Sequence, residues 1–191
     1  MNRREAVGRV ALLLGGTVIG AEFFMSGCKP KTTSVKEVSG LFEPDNVTWL
    51  NEVAETILPQ TSTPGAKAAN VGQFMGVMVR DCYTPDDQNV FLDGIKKLDD
   101  ASQKKFSKAF IDLDAASRTA LLTDLDKEQK EYTKTKKEKE PNHYFRMMKE
   151  LTLLGFFTSE VGCKQALRYL PIPGKYDGNY PYKKGDKAWA L

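Results

Sequence analysis

Hydrophobic side chains recur along most of this chain at intervals of three and four residues, and no run of them alternates with period two, so the pattern predicts helices and no sheet. Leu50, Val53, Ala54 and Ile57 form one stripe, with Asp45 or Asn46 placed to cap its start and Pro59 to stop it. A loop at residues 61–65 separates this helix from a second, in which Val71, Phe74, Met75, Met78, Val79 and Cys82 share a face. Thr84-Pro85-Asp86-Asp87 opens a third: a hydroxyl cap, a proline at the first helical position, and acids facing the positive end of the helix dipole. Its buried stripe is Phe91, Ile95 and Leu98. After a break at Phe106 and Phe110, another helix opens near Asp114 and turns Leu121, Leu122 and Leu125 inward.

Residues 126–140 then become almost wholly polar, with six lysines against five acids, and read either as a solvated extension of that helix or as a mobile loop. Order resumes at Pro141-Asn142. Residues 143–160 carry Phe145, Met148, Leu151, Thr152, Leu154 and Gly155, the most apolar helix of the chain and the expected centre of the domain. From Pro171 onward proline, glycine and tyrosine dominate without helical period, which predicts irregular chain on the surface. The expected class is therefore all-α: a compact bundle of about five to six helices over residues 41–191, ending in an irregular tail.

The first 27 residues follow a different pattern. Arg3, Arg4 and Arg9 precede an apolar run over residues 10–21, which Gly15, Gly16, Thr17 and Gly20 dilute and Glu22 ends. Twelve such residues fall short of the roughly 20 that a spanning helix needs, so the segment reads as an export signal. Paired arginines before a weakly hydrophobic run resemble a twin-arginine signal, although Ala6 and Asn2 depart from that pattern; an ordinary secretory signal is the alternative. Met25-Ser26-Gly27-Cys28 looks like a lipobox, in which the Cys28 thiol would take the lipid and become the new N-terminus; a chance cysteine after a soluble signal is the other reading. Residues 28–40 are polar and suit a tether. The expectation is an exported lipoprotein on the periplasmic side of a membrane.

Composition narrows the chemistry further. The 191 residues hold 28 Lys and Arg against 25 Asp and Glu, a net charge of +3 that offers a nucleic-acid partner no electrostatic footprint. With His143 the single histidine, sites built on several imidazoles are excluded within this chain. No Gly-x-Gly-x-x-Gly in the exported part, no Cys-x-x-Cys-His and no P-loop occur, so neither a Rossmann dinucleotide site nor covalent haem is expected. Asp112 with Asp114 and Asp124 with Asp126 lack the rest of a calcium loop and read as caps and solvated acids. In an oxidising compartment Cys82 and Cys163 stand either as a disulfide or as two buried free thiols. His143 stands at a helix start with no nucleophile motif nearby. Thr158-Ser159-Glu160 closes the apolar helix, Glu160 being either a paired structural carboxylate or a catalytic acid or base. Tyr176, Tyr180, Tyr182 and Trp189 lie on the tail, as interface anchors or packed back on the helices.

Several of these segments together resemble a known family. Ile57-Leu58-Pro59, Thr63-Pro64-Gly65-Ala66-Lys67-Ala68, Phe91-Leu92-Asp93-Gly94-Ile95, the block from Glu150 through Leu151-Thr152-Leu153-Leu154-Gly155-Phe156-Phe157-Thr158-Ser159-Glu160 to Gly162, and Tyr176-Asp177-Gly178 with Ala188-Trp189 are similar to the gluconate 2-dehydrogenase subunit 3 family. The resemblance covers about residues 45–191, and the block ending at Glu160 is its most specific part. It implies a small subunit of a periplasmic dehydrogenase, standing beside a large FAD subunit of the glucose-methanol-choline type and often a cytochrome c subunit. No cofactor is then expected in this chain; FAD, and in some complexes haem c, belong to the partners. Such a subunit carries an unsignalled large subunit through the twin-arginine route, which agrees with Arg3 and Arg4. Thr158, Ser159, Glu160, Tyr176, Tyr180, Tyr182 and Trp189 become candidate partner contacts. The competing expectation is a stand-alone carbohydrate-active lipoprotein enzyme using Glu160 and His143.

Overall fold

A computed structural model describes residues 38–172, 174 and 177–190. Arg3, Arg4, Cys28 and Tyr176 lie outside the described residues. Five α-helices account for most of the rest: α1 (Pro44–Ile57), α2 (Val71–Cys82), α3 (Pro85–Phe106), α4 (Ala115–Thr135) and α5 (Tyr144–Phe157). Short 3₁₀ turns at Gly40–Phe42, Ala66–Ala69 and Phe110–Asp112 link them, and a single π turn at Gly162–Ala166 follows α5. Among the described residues the one β interaction is an isolated parallel bridge between Arg168 and Trp189. The all-α expectation holds.

Local chemistry explains where each helix begins and ends. Pro44 takes the first position of α1, where its fixed φ suits the helix and its missing N–H costs nothing, so the start falls before Asp45 and Asn46 rather than at them. Asn46 instead turns back, its Nδ2 donating to the Gly40 carbonyl at 2.8 Å. Thr84 caps α3 as its sequence predicts, the hydroxyl accepting the Asp87 N–H at 3.3 Å. That helix runs without interruption to Phe106 and stops where Ser107 adopts a left-handed φ of 56°. The polar stretch after Asp126 is a helix extension as far as Thr135, braced by Lys130–Asp126 and Lys134–Glu131 pairs.

Helix α5 packs against all four other helices and supplies Tyr144, Phe145, Met147, Met148, Leu151 and Phe156 to the core. Its one fully buried hydroxyl, on Thr152, donates to the Met148 carbonyl at 2.8 Å. Two glycines set how closely its neighbours approach. A Cβ on Gly94 of α3 would lie 2.4 Å from Tyr144 Cβ, and one on Gly155 would lie 2.6 Å from the Phe74 ring of α2. Val38, at the end of the stretch read as a tether, is buried with Leu41, so the core begins before residue 41.

Long-range ion pairs tie the layers. Arg118 of α4 reaches Glu52 of α1 at 2.6 Å while donating to the Phe110 and Ile111 carbonyls at 3.3 and 2.7 Å. Lys67 also bonds Glu52, and with Arg118 it holds that carboxyl below the usual range against the opposing effect of burial.

Candidate partner-binding face

Helix α5 does two jobs with one sequence. Leu153, Leu154 and Phe157, which share the outer side of its last turn, are 40%, 46% and 39% exposed, and the Phe157 ring stands edge-on to the buried Phe156 at 5.2 Å. Val77 of α2, one turn beyond the Phe74 that meets Gly155, is also solvent-facing. Single exposed apolar residues are ordinary, but three large ones on the last turn of one helix form a strip with no cover among the described residues.

The residues that close this helix are structural in their bonding. Thr158 donates from its hydroxyl to the Leu154 carbonyl at 2.7 Å, and the Ser159 hydroxyl donates to the Phe156 carbonyl at 2.7 Å while accepting the Gly162 N–H at 3.0 Å. Both hydroxyls thus satisfy backbone groups that a helix end leaves orphaned. A Cβ on Gly162 would fall 1.9 Å from the Phe156 oxygen, so only glycine fits there. Glu160 points to water and pairs with Lys164 at 2.7 Å, which keeps its carboxyl below the ordinary range. It is a paired surface carboxylate.

Beside the strip, an open groove between α4 and α5 is lined by Gln129, Lys130, Lys134, Arg146, Lys149 and Leu153, among others. Its cations are already engaged: Lys130 and Lys149 with Asp126 at 2.7 and 2.6 Å, Arg146 with Glu150 at 2.7 Å. Hydrogen bonds from Lys130 and then Lys149 pull the Asp126 carboxyl down to about 2. Asp124 is likewise taken by Lys105 and Lys127. Among the described residues no group of three or more His, Cys, Asp or Glu is arranged to hold a metal ion.

His143 and Glu160 do not meet. His143 caps the start of α5, its Nδ1 accepting the Phe145 N–H at 3.2 Å, and Nε2 faces Glu128 at 3.6 Å between the rings of Tyr132 and Tyr144. Burial lowers its pKa, with Glu128 opposing and Lys97 adding to the effect. Glu160 lies past the other end of the same helix, about 20 Å away by the rise of its 14 residues. Groups this far apart cannot act on one reacting bond, so His143 and Glu160 do not form a catalytic pair.

The disulfide considered between Cys82 and Cys163 is not formed; both are free, and Cys82 is exposed instead of joining the buried stripe of α2. The packing explains this. Phe74 lies against Gly155, whereas Tyr83, pushed up to about 12 by burial first, also feels the Glu150 carboxylate. Helices α2 and α5 are therefore antiparallel, so Cys82 sits alongside the middle of α5 and Cys163 past its C-terminal end, beyond the reach of a bridge.

In the tail, Arg168 gathers two of the four named aromatics. Its guanidinium stacks over Trp189 at 4.6 Å and Tyr180 at 5.5 Å and donates to the Tyr180 hydroxyl at 3.0 Å, and the two rings meet edge-on at 5.6 Å. Backbone bonds from Arg168 N–H to Ala188 and from Ala190 N–H to Arg168 close the loop between them. Tyr182 stays outside this cluster. Sequence reasoning missed both Arg168 and the exposed strip. The signal for the strip was present: five large apolar side chains in the seven residues from Leu151 to Phe157 surround the last turns of the helix, more than one core can cover.

No curated protein and no solved structure matches the chain. The family model described as gluconate 2-dehydrogenase subunit 3 matches residues 44–174, which takes in all five helices, the exposed strip and the Thr158-Ser159-Glu160 segment, and stops short of Tyr176, Tyr180, Tyr182 and Trp189. On that match, spanning well over half of its length, the chain belongs to the gluconate 2-dehydrogenase subunit 3 family.

Proposed function

We propose that this protein is a non-catalytic small subunit that binds a FAD-dependent dehydrogenase of the glucose-methanol-choline type and supports its export, maturation or attachment to the membrane. The observation that carries the reading is the strip of Leu153, Leu154 and Phe157, contributed by the helix that also organises the core. A partner seated there buries apolar area that otherwise faces water, worth about 25 cal/mol per Å² removed from solvent, on a helix that packs against the other four. Thr158 and Glu160 border the strip, and the cations of the adjoining groove form a polar rim. The flavin belongs to the partner, with haem c in complexes that include a cytochrome subunit. Export through the twin-arginine route by Arg3 and Arg4, and a lipid on Cys28, place the complex on the periplasmic face in this reading.

Affinity capture of the full chain from detergent-solubilised membranes tests it. The expected eluate contains a second polypeptide with the absorption spectrum of bound flavin, and that polypeptide fails to reach the periplasm in a strain lacking this subunit. Recovery of the chain without any flavoprotein, together with unchanged export, would sink the proposal.

A further inference from the structure

The charge of this protein is not spread evenly. Residues 168–191 hold five basic side chains against Asp177 and Asp186, a net +3 equal to that of the entire chain, so everything before Arg168 is balanced. The backbone N–H of Lys183 donates to the Asp186 carboxylate at 3.0 Å, but the ammonium groups of Lys183 and Lys184 make no ion pair among the described residues, and Lys187 reaches back to the Gln165 carbonyl. The same segment carries the most exposed apolar side chains described: Ile172 at 82% and Tyr182 at 77%, with Tyr180 and Trp189 about half exposed. Arg168 clasps Tyr180 and Trp189, and the bridge between Arg168 and Trp189 ties this pair of rings to the chain that follows α5, with Tyr182, Lys183 and Lys184 next to Tyr180 in sequence.

We infer that this C-terminal loop is a contact site for an anionic lipid surface. Amphipathic rings with a polar edge settle at the level of lipid headgroups, and lysines beside them are drawn to a negatively charged leaflet. An apolar groove would favour a protein segment. Here instead the apolar groups stand out singly from the surface among unpaired cations, a geometry that suits shallow insertion between headgroups. The inference deepens the membrane-attached reading above, on which it rests only for a bilayer being at hand. It assigns the tail to lipid and leaves the α5 strip to the protein partner.

Tryptophan emission of the full chain provides the test, because Trp49 is half-buried against Phe110 and the difference between the native chain and Trp189→Phe isolates Trp189. The probes are vesicles of phosphatidylcholine alone or mixed with phosphatidylglycerol, with acyl chains brominated near the carbonyl. The expected result is a blue shift and quenching of the Trp189 component in the anionic vesicles. It should weaken about tenfold or more in apparent affinity with Lys183→Glu/Lys184→Glu, and likewise fall as salt is raised on the unaltered chain. Absence of quenching in anionic vesicles overturns the inference. So does quenching of equal strength in both lipids that neither the charge reversal nor salt reduces. A Trp189 component silent toward lipid but shifted by a purified flavoprotein partner also overturns it, giving the tail to that protein. The lipid on Cys28 is read separately, by metabolic labelling with a radioactive fatty acid, so failure of the anchor and failure of the tail contact are distinguishable.

Discussion

At the scale of single residues, contacts that look conservative in the sequence turn out to have little room. Gly94 sits inside a segment quoted for its family likeness, and its reason is steric: α3 and α5 meet at the Tyr144 side chain, with no space for a methyl group. Gly94→Ala is expected to destabilise the fold by about 1–3 kcal/mol, as overpacking of a closed contact does, and urea unfolding followed by circular dichroism measures it. Asp126 gives a second prediction. Its carboxyl is held near 2 in the fold against 3.8 when free, so its contribution is complete above the free value and is lost as the pH falls toward about 2. The Asp126 side chain is only 20% exposed, but its partners Lys130 and Lys149 are open to water at 62% and 38%, and screening through them limits the contribution to about 1 kcal/mol. Asp126→Asn should therefore lower stability at neutral pH by about that amount and flatten the acid limb of the stability curve between about pH 4 and pH 2.

Among the helices, α5 depends on an imidazole for its start. Nδ1 of His143 can accept the Phe145 N–H only while unprotonated, and burial favours that neutral form despite the facing Glu128. Because the folded pKa is lowered from 6.5, the stabilisation is complete above that value and declines as the pH falls through the lowered one. His143→Ala should cost about 1 kcal/mol at pH 8 and remove this part of the pH dependence, whereas His143→Asn, which keeps a capping oxygen, should lose less stability while removing the same titration. Thermal unfolding at stepped pH separates the two. Helix α3 needs no such device, since Thr84, Pro85 and the two following acids provide its start from local chemistry alone.

For the whole molecule, the proposed partner contact turns on the division of α5 into a core side and a solvent side. Leu154→Asp with Phe157→Asp removes the half-exposed strip and puts two acids at the negative end of α5, so stability should fall by about 1–3 kcal/mol with the fold kept, while capture of the flavoprotein is lost. Paired measurement of melting temperature and co-purification checks this; unfolding without loss of binding would place the contact elsewhere. The Arg118–Glu52 bond, joining residues 66 apart in the chain, belongs to this scale too, because no local pattern marks it.

What the sequence by itself determined is the helical class, the apolar stripes of α1, α3 and α4 and the Thr84 cap, which follow from interactions within four residues of one another; it left the polar residues after Asp126 open between helix and loop, and it put Cys82, which the structure leaves exposed, in a buried stripe. The separation of His143 from Glu160 was legible in principle as well, once both were put on one helix. Only the tertiary structure decided which apolar residues in the last turn of α5 face water, why Cys82 and Cys163 stay apart, and that Arg168 draws Tyr180 and Trp189 together. The physical reason is the same in each case. Periodicity reports that a side chain is apolar or charged, but whether it is covered depends on the direction from which a distant segment approaches, and that direction is a property of packing among all the helices at once.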